Sequence, residues 1–492
     1  MTKTGTDHLK SLDDGREVFI NGERVTDPIN HAAFKNAVRS AAGLYDFQAE
    51  NEELMTFVSP TSGGRVNKCW MMPTSYEQLV ERRKSLVAWS RLSCGFMGRS
   101  PDHIASSLLG QMMGLPIFER HSPERAKALS DYYAFARDND LFLTYVIINP
   151  QANRSKEASE QDDEFLVCGV VDEDAQGITV RGAKMLGTSS IMANEVLFAN
   201  IQPLQKGEEK YAISFVVPMA TKGLRILSRK SYEEHANSEF DYPLSTHFDE
   251  NDALIYCDDV HVPWDRVFVY RDTDMCRAQF QDTWGHSSQN YQAQIRLMVK
   301  LQFLMGIAKR IAEVNGIIGI PSVRDSLGRL AAYTSMVEGM MHGMEAAGEM
   351  VNGFYGPSRH LVYSAQVITQ EMYPELVNII RELAGGGLIM LPSSVEDFSD
   401  TEISGLIERT QMSPATDATG RVKFMKLAWD ALGSEFASRH VQYEMFYAGA
   451  QFVTRGHMFR TFDWDNATGM VDDLLGRYGL PQEANGKRQA AE

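Results

Sequence analysis

The sequence predicts an α+β protein in three parts: a mainly helical N-terminal domain, a central β domain and a C-terminal helical bundle. Three observations predict this order. Apolar residues recur at helical spacing in the first third, short strand-like runs separated by turns fill the middle, and long amphipathic helices return after about residue 278. We place the domains at 1–150, 151–277 and 278–492, because 492 residues exceed one compact domain.

The clearest helix of the first domain begins at Ser122-Pro123, a capping hydroxyl followed by proline at the first helical position. Apolar residues then recur every three or four positions, at Ala126, Leu129, Tyr133 and Ala136. Asn139 is the expected end of this helix. The spacing therefore predicts one helix between these two signals.

The central domain contains a series of short runs rich in β-branched and aromatic residues, bounded by turns. The runs are 165–171, 178–186, 195–198, 212–217, 224–227 and 253–256. Val262-Pro263-Trp264 closes the region. Such a series is typical of a small sandwich or barrel, and we expect a β-barrel.

The last domain contains three helix candidates, at 296–314, 323–351 and 422–436. They indicate a helical bundle. The second has an apolar face that we assign to core packing rather than to a methionine-lined groove, formed by Leu330, Val337, Met340, Met344 and Ala347. The polar, alanine-rich segment 482–492 is expected to fray.

Charge and composition exclude several partners. The net charge of −17 repels nucleic acid and anionic membranes. Five cysteines lie far apart, with no CxxC pair and no zinc spacing, so we expect no metal and free thiols in a reducing compartment. Residues 1–10 contain no signal-peptide apolar core, and no apolar stretch reaches membrane length. We therefore expect a soluble cytoplasmic protein.

Several short sequence motifs are absent. No GxGxxG links a strand to a helix, which argues against a Rossmann site for NADH or tightly held FAD. The patterns GxxxxGK[ST], HExxH and GxSxG are also missing. Gly385-Gly386-Gly387 could approach a phosphate, but a flexible turn after a helix is the more usual reason for such a run.

A set of longer segments, spread in order over nearly the whole chain, carries a family resemblance. They are 8–18, 21–25, 89–93 (WSRLS), 95–102 (GFMGRSPD), 149–151 (NPQ) with Arg154, 182–184 with Thr188, 240–245 and 248–252 (FDYPLS and FDEND), 262–264, 267–272 and parts of 426–440. In these segments the chain resembles the 4-hydroxyphenylacetate 3-monooxygenase family, large oxygenase component. An ordered set of this length is far more specific than any short motif.

This resemblance implies a fold similar to the acyl-CoA dehydrogenases, with a C-terminal four-helix bundle, and a homotetramer built on the bundles. It also implies that the chain binds FADH2, which diffuses in from a separate NAD(P)H-flavin reductase. The missing Rossmann motif agrees with a cofactor that is supplied from outside.

The implied reaction is ortho-hydroxylation of a phenol by reduced flavin and O2, through a flavin C4a-hydroperoxide. Water must be excluded, because it lets the oxidant decay to H2O2. The phenol oxygen must meet cationic or hydrogen-bonding groups that push electron density onto the ring.

Three residues are expected at the phenol oxygen, as catalytic and substrate-binding groups. Arg99 matches the family arginine that contacts this oxygen and the flavin region. The family's usual tyrosine four residues later is His103 here, and its usual histidine before the Asn-Pro motif is Tyr145. The two residue types are exchanged, which puts 4-hydroxyphenylacetate itself in doubt as the substrate. A histidine is the better base near neutral pH.

The resemblance also carries over a set of flavin-binding residues. Hydroxyls and backbone amides suit the polar edge of the flavin ring, and an arginine suits the pyrophosphate. The set is Asn149, Gln151, Arg154, Thr188, Tyr447, Ala448 and Gly449. Asn200 lies in the loop that touches substrate in the family.

Three rival functions remain. A lyase resembling 4-hydroxybutyryl-CoA dehydratase would need an iron–sulfur cluster, but Cys94 has no cysteine within a helical turn. An acyl-CoA dehydrogenase-like enzyme would need a catalytic carboxylate without a distinctive signature here. A non-catalytic flavin carrier would not need the Arg99 motif. Within the monooxygenase hypothesis, halophenols, nitrophenols and tyrosine-derived or carrier-bound phenols stay open, and FAD is favoured over FMN.

Overall fold

The computed structural model of the chain describes residues 2–479, so the segment predicted to fray lies outside the described residues. The α-helices up to the middle of the chain are α1 (Gly5–Leu12), α2 (Lys35–Glu50), α3 (Glu52–Met55), α4 (Tyr76–Leu92), α5 (Asp102–Met113), α6 (Leu115–His121), α7 (Pro123–Asp138) and α8 (Ser245–Phe248). Those that follow are α9 (Thr273–Gln281), α10 (Gly285–Val314), α11 (Pro321–Ala346), α12 (Arg359–Ala384), α13 (Thr401–Thr410), α14 (Ala418–Leu432), α15 (Glu435–Phe446), α16 (Gln451–Thr461) and α17 (Trp464–Leu475).

The strands lie mostly between α7 and α9. They are β1 (Glu17–Ile20), β2 (Glu23–Val25), β3 (Thr56–Val58), β4 (Arg65–Asn67), β5 (Leu143–Val146), β6 (Gly169–Glu173) and β7 (Gly177–Lys184). The remaining strands are β8 (Glu195–Phe198), β9 (Ile213–Pro218), β10 (Leu224–Ser228), β11 (Ala253–Pro263), β12 (Val267–Tyr270), β13 (Glu349–Val351) and β14 (Phe354–Gly356). The pairs β3-β4 and β13-β14 are separate hairpins.

The larger sheet has the strand order β2-β1-β10-β11-β7-β6. Within this sheet β1 runs parallel to β10, and all other neighbouring strands pair antiparallel. Along β11 every second residue from Ala253 to Cys257 is buried, and burial resumes at Val260. A bulge lies between Cys257 and Val260. Its extra residue shifts the alternation of side chains along the strand, so that the side chain of Val260 faces the core.

The smaller sheet has the order β12-β9-β8-β5, with β5 parallel to β8. It contacts the larger sheet through β9 and β11. The predicted barrel is wrong in one respect: within residues 2–479 the strands form two open sheets and no closed barrel. α5 packs against β5 and α7 packs against β12, the two outer strands of the smaller sheet.

α10 is the central helix of the C-terminal bundle. It packs on α11 and α12 within the bundle and on α4 and α5 of the N-terminal part. Residues 285–301 of α10 are buried on every side, although many of them are polar. Buried polar side chains need hydrogen-bond partners. This half of the helix is therefore expected to line a polar site rather than to form ordinary apolar core.

Most predicted elements are confirmed, with shifts at their ends. α7 has Ser122 as its N-cap and Asn139 as its C-cap, as predicted. The 422–436 candidate is two helices, because the chain breaks at Gly433 between α14 and α15. The apolar face of α11 is core at Leu330, Val337 and Met344, which are buried, while Met340 is half-buried. Ala347 was wrongly assigned to this face, because α11 ends at Ala346 and Ala347 is exposed.

The domain boundaries remain predictions. β1 and β5 belong to the predicted N-terminal domain in sequence, yet each is a strand of one of the central sheets. The N-terminal helices and the β region are therefore joined by backbone pairing as well as by packing.

Candidate active site

The turn between α4 and α5 sets the position of Arg99. Cys94 and Gly95 both have positive φ, 51° and 76°. Gly95 packs so closely on α10 that a Cβ atom there would stand 2.7 Å from the backbone nitrogen of Lys300. Glycine is required at this point because it accepts both the positive φ and the close approach.

Arg99 is 9% exposed and joins three parts of the chain. Its backbone N–H donates to Glu250 Oε1 at 2.5 Å, and its Nη2 donates to the carbonyl of Tyr447 at 3.2 Å. Its guanidinium carbon lies 5.3 Å from the ring centroid of Tyr145 and 5.2 Å from that of Tyr443. The charge is thus held between two aromatic faces, which favour a cation.

His103, the second residue of α5, is 1% exposed. Its Nδ1 lies 3.0 Å from Gln292 Oε1, and its Nε2 lies 2.7 Å from Gln289 Nε2 and in contact with Arg99 Nη1. Burial and, after it, the charge of Arg99 hold the pKa of His103 well below its usual range. The imidazole is therefore neutral near pH 7, and its lowered pKa makes it a weaker base than an ordinary histidine.

Tyr145 completes this group from β5. Its ring is half-buried and lies 5.6 Å from the imidazole of His103, centroid to centroid. The structure therefore brings Arg99, His103 and Tyr145 together, and we call these three residues the arginine cluster. Their chemical roles stay a prediction.

Two glutamines that contact the ring of His103 were not among the residues predicted from the sequence. Gln289 and Gln292 lie on the buried half of α10, which we had predicted to begin only at Arg296. The signal was present: residues 286–294 contain mostly polar side chains with no continuous apolar face. A polar helical segment in the middle of an apolar bundle indicates a site.

A network of charges lies beside the arginine cluster. Thr188 Oγ1 donates to Asp252 Oδ1 at 2.7 Å, and Arg439 binds the same carboxylate with Nη2 at 2.7 Å and Nε at 3.0 Å. Arg439 Nη1 also donates to Glu250 Oε2 at 3.0 Å, on the carboxylate that binds the Arg99 backbone. Although burial opposes it, Arg439 holds the pKa of Asp252 far below its usual range. This predicted flavin residue, Thr188, is therefore fixed to the same frame as Arg99.

The predicted segment from Tyr447 to Gly449 joins α15 to α16 next to Arg99. Gln294 of α10 donates to the hydroxyl of Tyr447, and Gln370 donates to the carbonyl of Gly449 at 2.9 Å. Gly449 has a φ of 101°, which glycine alone adopts easily. Ala448 between them is half-buried. The structure thus ties this segment to the polar half of α10.

Four predicted residues lie outside this assembly. Asn149 is half-buried and accepts from Lys184 Nζ at 2.5 Å, while Gln151 and Arg154 are exposed on the following loop. Asn200 is buried just beyond β8, and its amide donates to a backbone carbonyl of the β region at 3.4 Å. Their assignments to flavin and substrate stay predictions.

Several buried polar atoms near Thr188 and the arginine cluster have no hydrogen-bond partner. Among residues 2–479, the buried side-chain atoms without a hydrogen-bond partner include Ser189 Oγ, Ser190 Oγ, Gln294 Oε1 and Tyr443 Oη. The serines follow Thr188, and the other two flank Arg99 and Tyr447. Because buried polar atoms are normally paired, they indicate a polar ligand. Hydroxyl and amide groups of this kind fit the ring edge of FAD, which carries both donors and acceptors.

Residues 2–479 contain no group of three or more His, Cys, Asp or Glu side chains arranged to hold a metal ion. No helix in that range is long and apolar enough to cross a bilayer. The five cysteines are all free thiols.

Comparison with known proteins identifies the family. The model described as 4-hydroxyphenylacetate 3-hydroxylase N terminal matches residues 4–269, and the C-terminal model matches residues 276–476. The chain is 36% identical over 490 residues to the 4-hydroxyphenylacetate 3-monooxygenase oxygenase component of Klebsiella oxytoca, covering 96% of this chain and 93% of that protein. It is also 36% identical over 482 residues to the 4-nitrophenol 2-monooxygenase oxygenase component of a Rhodococcus species, covering 96% and 90%.

Solved structures agree with this assignment. The oxygenase component of 4-hydroxyphenylacetate 3-monooxygenase complexed with FAD and 4-hydroxyphenylacetate has a TM-score of 0.91 at 29% identity, covering 96% of this chain and 98% of that one. An archaeal 4-hydroxybutyryl-CoA dehydratase from N. maritimus has a TM-score of 0.88 at 21% identity, covering 97% of this chain and 96% of that one. At this identity the similarity is evidence for a shared fold and not for a shared function. The fold is acyl-CoA dehydrogenase-like, as predicted, and the chain belongs to the 4-hydroxyphenylacetate 3-hydroxylase family.

Proposed function

We propose that this chain is the oxygenase component of a two-component, flavin-dependent monooxygenase that hydroxylates a phenol ortho to its hydroxyl group. The observation that carries the proposal is the buried arginine cluster, found in a chain that matches the family over nearly its full length.

Reduced FAD, when bound, would supply the electrons that activate O2, and one oxygen atom of the O2 would go to the substrate ring. Thr188, Gln151, Arg154 and the 447–449 segment are the residues that would hold it, with Asn149 supporting the loop. The serine hydroxyls after Thr188 and the Tyr443 hydroxyl would be further polar contacts. A separate NAD(P)H-flavin reductase delivers the reduced cofactor.

Arg99 acts on the phenol oxygen of the substrate. Its guanidinium stabilises the negative charge that develops there, and this charge raises the electron density at the ortho carbon. Burial strengthens the effect because little water competes for the guanidinium. The lowered pKa of His103 disfavours an imidazolium, so His103 serves as a hydrogen-bond acceptor for Arg99 rather than as the base that takes the phenol proton.

Tyr145 is the second polar group at the phenol oxygen. Its hydroxyl can donate to a phenolate or accept from a phenol. Its ring also covers one side of the Arg99 guanidinium. Together these residues hold the substrate ring and exclude water from the reacting carbon, which limits the release of H2O2.

The substrate is a phenol whose ring substituent differs among relatives. A Streptomyces globisporus relative, 31% identical over 481 residues, is named as a monooxygenase of a chlorinated hydroxyphenyl group carried on a peptidyl-carrier protein. Because His103 and Tyr145 exchange the residue types of the family, we propose a substrate other than 4-hydroxyphenylacetate, among halophenols, nitrophenols and tyrosine-derived phenols. We also propose Asn200, which is buried just beyond β8, as a substrate contact.

We propose a homotetramer in which α16 and α17 cover one another's apolar faces. α17 has no buried residue, and Phe452, Phe459 and Leu474 are 76%, 64% and 58% exposed. Exposed apolar area of this size marks an interaction surface. Light scattering on the purified chain tests this, and a monomer at micromolar concentration would contradict it. Free cysteines and dependence on a flavin reductase support a cytoplasmic location.

The test of the proposed function uses purified chain, FADH2 from a generic reductase, oxygenated buffer and a panel of phenols. We expect a catechol product with at least one phenol, in a yield per FADH2 that far exceeds the yield without protein. If FADH2 oxidation yields only H2O2 with every phenol, the proposal is wrong, and acyl-CoA substrates should be tried next.

A further inference from the structure

Asp102, Gln292 and His103 form a hydrogen-bonded chain in the wall behind Arg99. Gln292 Nε2 donates to Asp102 Oδ2 at 3.1 Å, and Gln292 Oε1 lies 3.0 Å from His103 Nδ1. The three residues are 0 to 1% exposed. Since no bulk water reaches these atoms, the donor–acceptor direction of one hydrogen bond determines that of the next.

Asp102 sets the orientation of the Gln292 amide. Burial raises the pKa of Asp102, but the hydroxyl of Ser100 and the amide of Gln292 both favour its charged form. A carboxylate accepts hydrogen bonds only, so it faces the NH2 end of the amide. The amide oxygen then faces His103, and His103 must carry a proton on Nδ1 to donate to it.

The contacts of the other ring nitrogen agree with this assignment. Arg99 Nη1 can only donate, and it lies closer to His103 Nε2 than to Nδ1, from which it is 3.2 Å away. Gln289 Nε2 approaches His103 Nε2 at 2.7 Å. A hydrogen on Nε2 would point at these donors, so Nε2 must present its lone pair.

We infer that Gln292 is a positioning residue that, anchored by Asp102, holds His103 as the neutral Nδ1–H tautomer, so that Nε2 anchors the guanidinium of Arg99. The role in hydroxylation rests on the proposed function, whereas the tautomer itself does not. The ionisable groups that face His103 are Arg99, Asp102 and Tyr145, with Arg296 of α10 beyond them. The two arginines disfavour an imidazolium, which agrees with a ring that stays neutral.

The tautomer is tested on the protein without flavin or substrate. Protein with 15N-labelled histidine gives ring-nitrogen shifts that distinguish Nδ1–H, Nε2–H and imidazolium forms, and His103→Gln identifies the signal of interest. We expect a protonated Nδ1 and an unprotonated Nε2, unchanged between about pH 6 and about pH 8, where an ordinary histidine titrates. An Nε2–H signal, or titration in this range, overturns the inference whether or not the chain hydroxylates phenols.

The positioning role is tested by Gln292→Leu and the isosteric Gln292→Glu. We expect Gln292→Leu to lose the single-tautomer signal and to lower kcat by about 10- to 100-fold, the usual cost of losing such a supporting partner, with little change in KM for the phenol. Gln292→Glu should keep the tautomer while its new carboxyl group is protonated, and should add an ionisation to the pH profile of kcat that the wild type lacks.

The matched control is Gln279→Leu, a buried glutamine of α9 that bonds to the backbone of its own helix. It should change neither the tautomer signal nor the pH profile. If Gln292→Leu does not fold, the wild-type spectrum and Gln292→Glu decide the question. Wild-type tautomer, kcat and pH profile in both Gln292 variants would overturn the positioning role. The expected spectra without hydroxylation of any phenol would reject the proposed function and leave the tautomer assignment intact.

Discussion

The two halves of the candidate site are built differently. The arginine cluster, on β5, on α5 and in the turn before α5, is largely buried and is fixed by partners from α10, the 447–449 segment and the loop that contains Glu250. The 149–154 segment, which contains Gln151 and Arg154, is largely exposed and is held mainly by local hydrogen bonds. One half is thus assembled by the fold of a single chain, and the other is a surface loop.

The two halves also differ in how firmly the fold positions their predicted site residues. Residues on packed elements are positioned by many neighbours, so their geometry is set before any ligand binds. Residues on an exposed loop have few buried contacts and open at little free-energy cost. We therefore expect substitutions in the arginine cluster to impair chemistry, and substitutions in the loop to affect only the affinity for flavin.

The largest expected effect is on stability, at the buried ion pairs of α10 and α15 beside the arginine cluster. Glu444 of α15 accepts from Arg296 Nη2 at 2.9 Å and from Lys300 Nζ at 3.0 Å, all buried. Glu444→Gln leaves two buried cations without their counter-charge, so we expect a loss of about 3–5 kcal/mol in the free energy of unfolding at pH 7. Urea unfolding measures it.

The same variant has a defined pH dependence. Burial opposes it, but Arg296 and Lys300 lower the pKa of Glu444 to about 2. The stabilising contribution of a carboxyl group with a lowered pKa is complete above its unfolded value of about 4.5 and is lost as the pH falls towards 2. The difference between wild type and Glu444→Gln should therefore shrink in that range. Glu371→Gln, which breaks an exposed pair, should cost less than about 1 kcal/mol, and an equal loss in both variants would contradict the argument.

The next largest effect is on the reaction itself. We expect Arg99→Ala to lower catechol formation by about 100- to 1,000-fold, because the developing charge on the phenol oxygen loses its main stabilising group. FADH2 should still be oxidised, with H2O2 as the product. Arg91→Ala, an exposed residue at the end of α4, is the control. Wild-type coupling in Arg99→Ala would remove Arg99 from the mechanism.

Tyr145→Phe is expected to have a smaller effect, about a tenfold decrease in kcat/KM, equivalent to one hydrogen bond to a charged group. The ring remains to cover Arg99, so binding of the guanidinium is preserved. Tyr76→Phe, a half-exposed tyrosine on α4, serves as the matched control. A decrease as large as that of Arg99→Ala would mean that the hydroxyl has more than one role.

The smallest effect is expected in the loop. Arg154→Ala should raise the KM for FADH2 about fivefold, an effect of about 1 kcal/mol, and leave kcat at saturating flavin unchanged. Lys156→Ala, on the same loop but paired with Asp162, should change neither value. If Arg154→Ala lowers kcat instead, the loop is part of the assembled site and the contrast between the halves fails.

Much of this architecture could be read from the sequence. The order of helices, strands and bundle follows from periodicity, because periods of 3.6 and 2 residues are local properties of a chain. The limits of α7 follow from Ser122 and Asn139, whose roles depend on adjacent residues. Arg99, His103 and Tyr145 were predicted through motifs that match the family.

What the sequence did not determine depends on packing between distant segments. The strands pair into two open sheets rather than a barrel through contacts between distant segments, such as that of β1 with β10. The pairing of Gln289 and Gln292 with His103 joins residues almost 190 positions apart.

The protonation state of His103 likewise came from the tertiary structure. By its type, histidine is a base near neutral pH; burial beside Arg99 makes this one neutral. Local pattern thus determined which residues are present and which elements they lie on, while desolvation and long-range contacts, which have no local signature, decided the chemical state of the site.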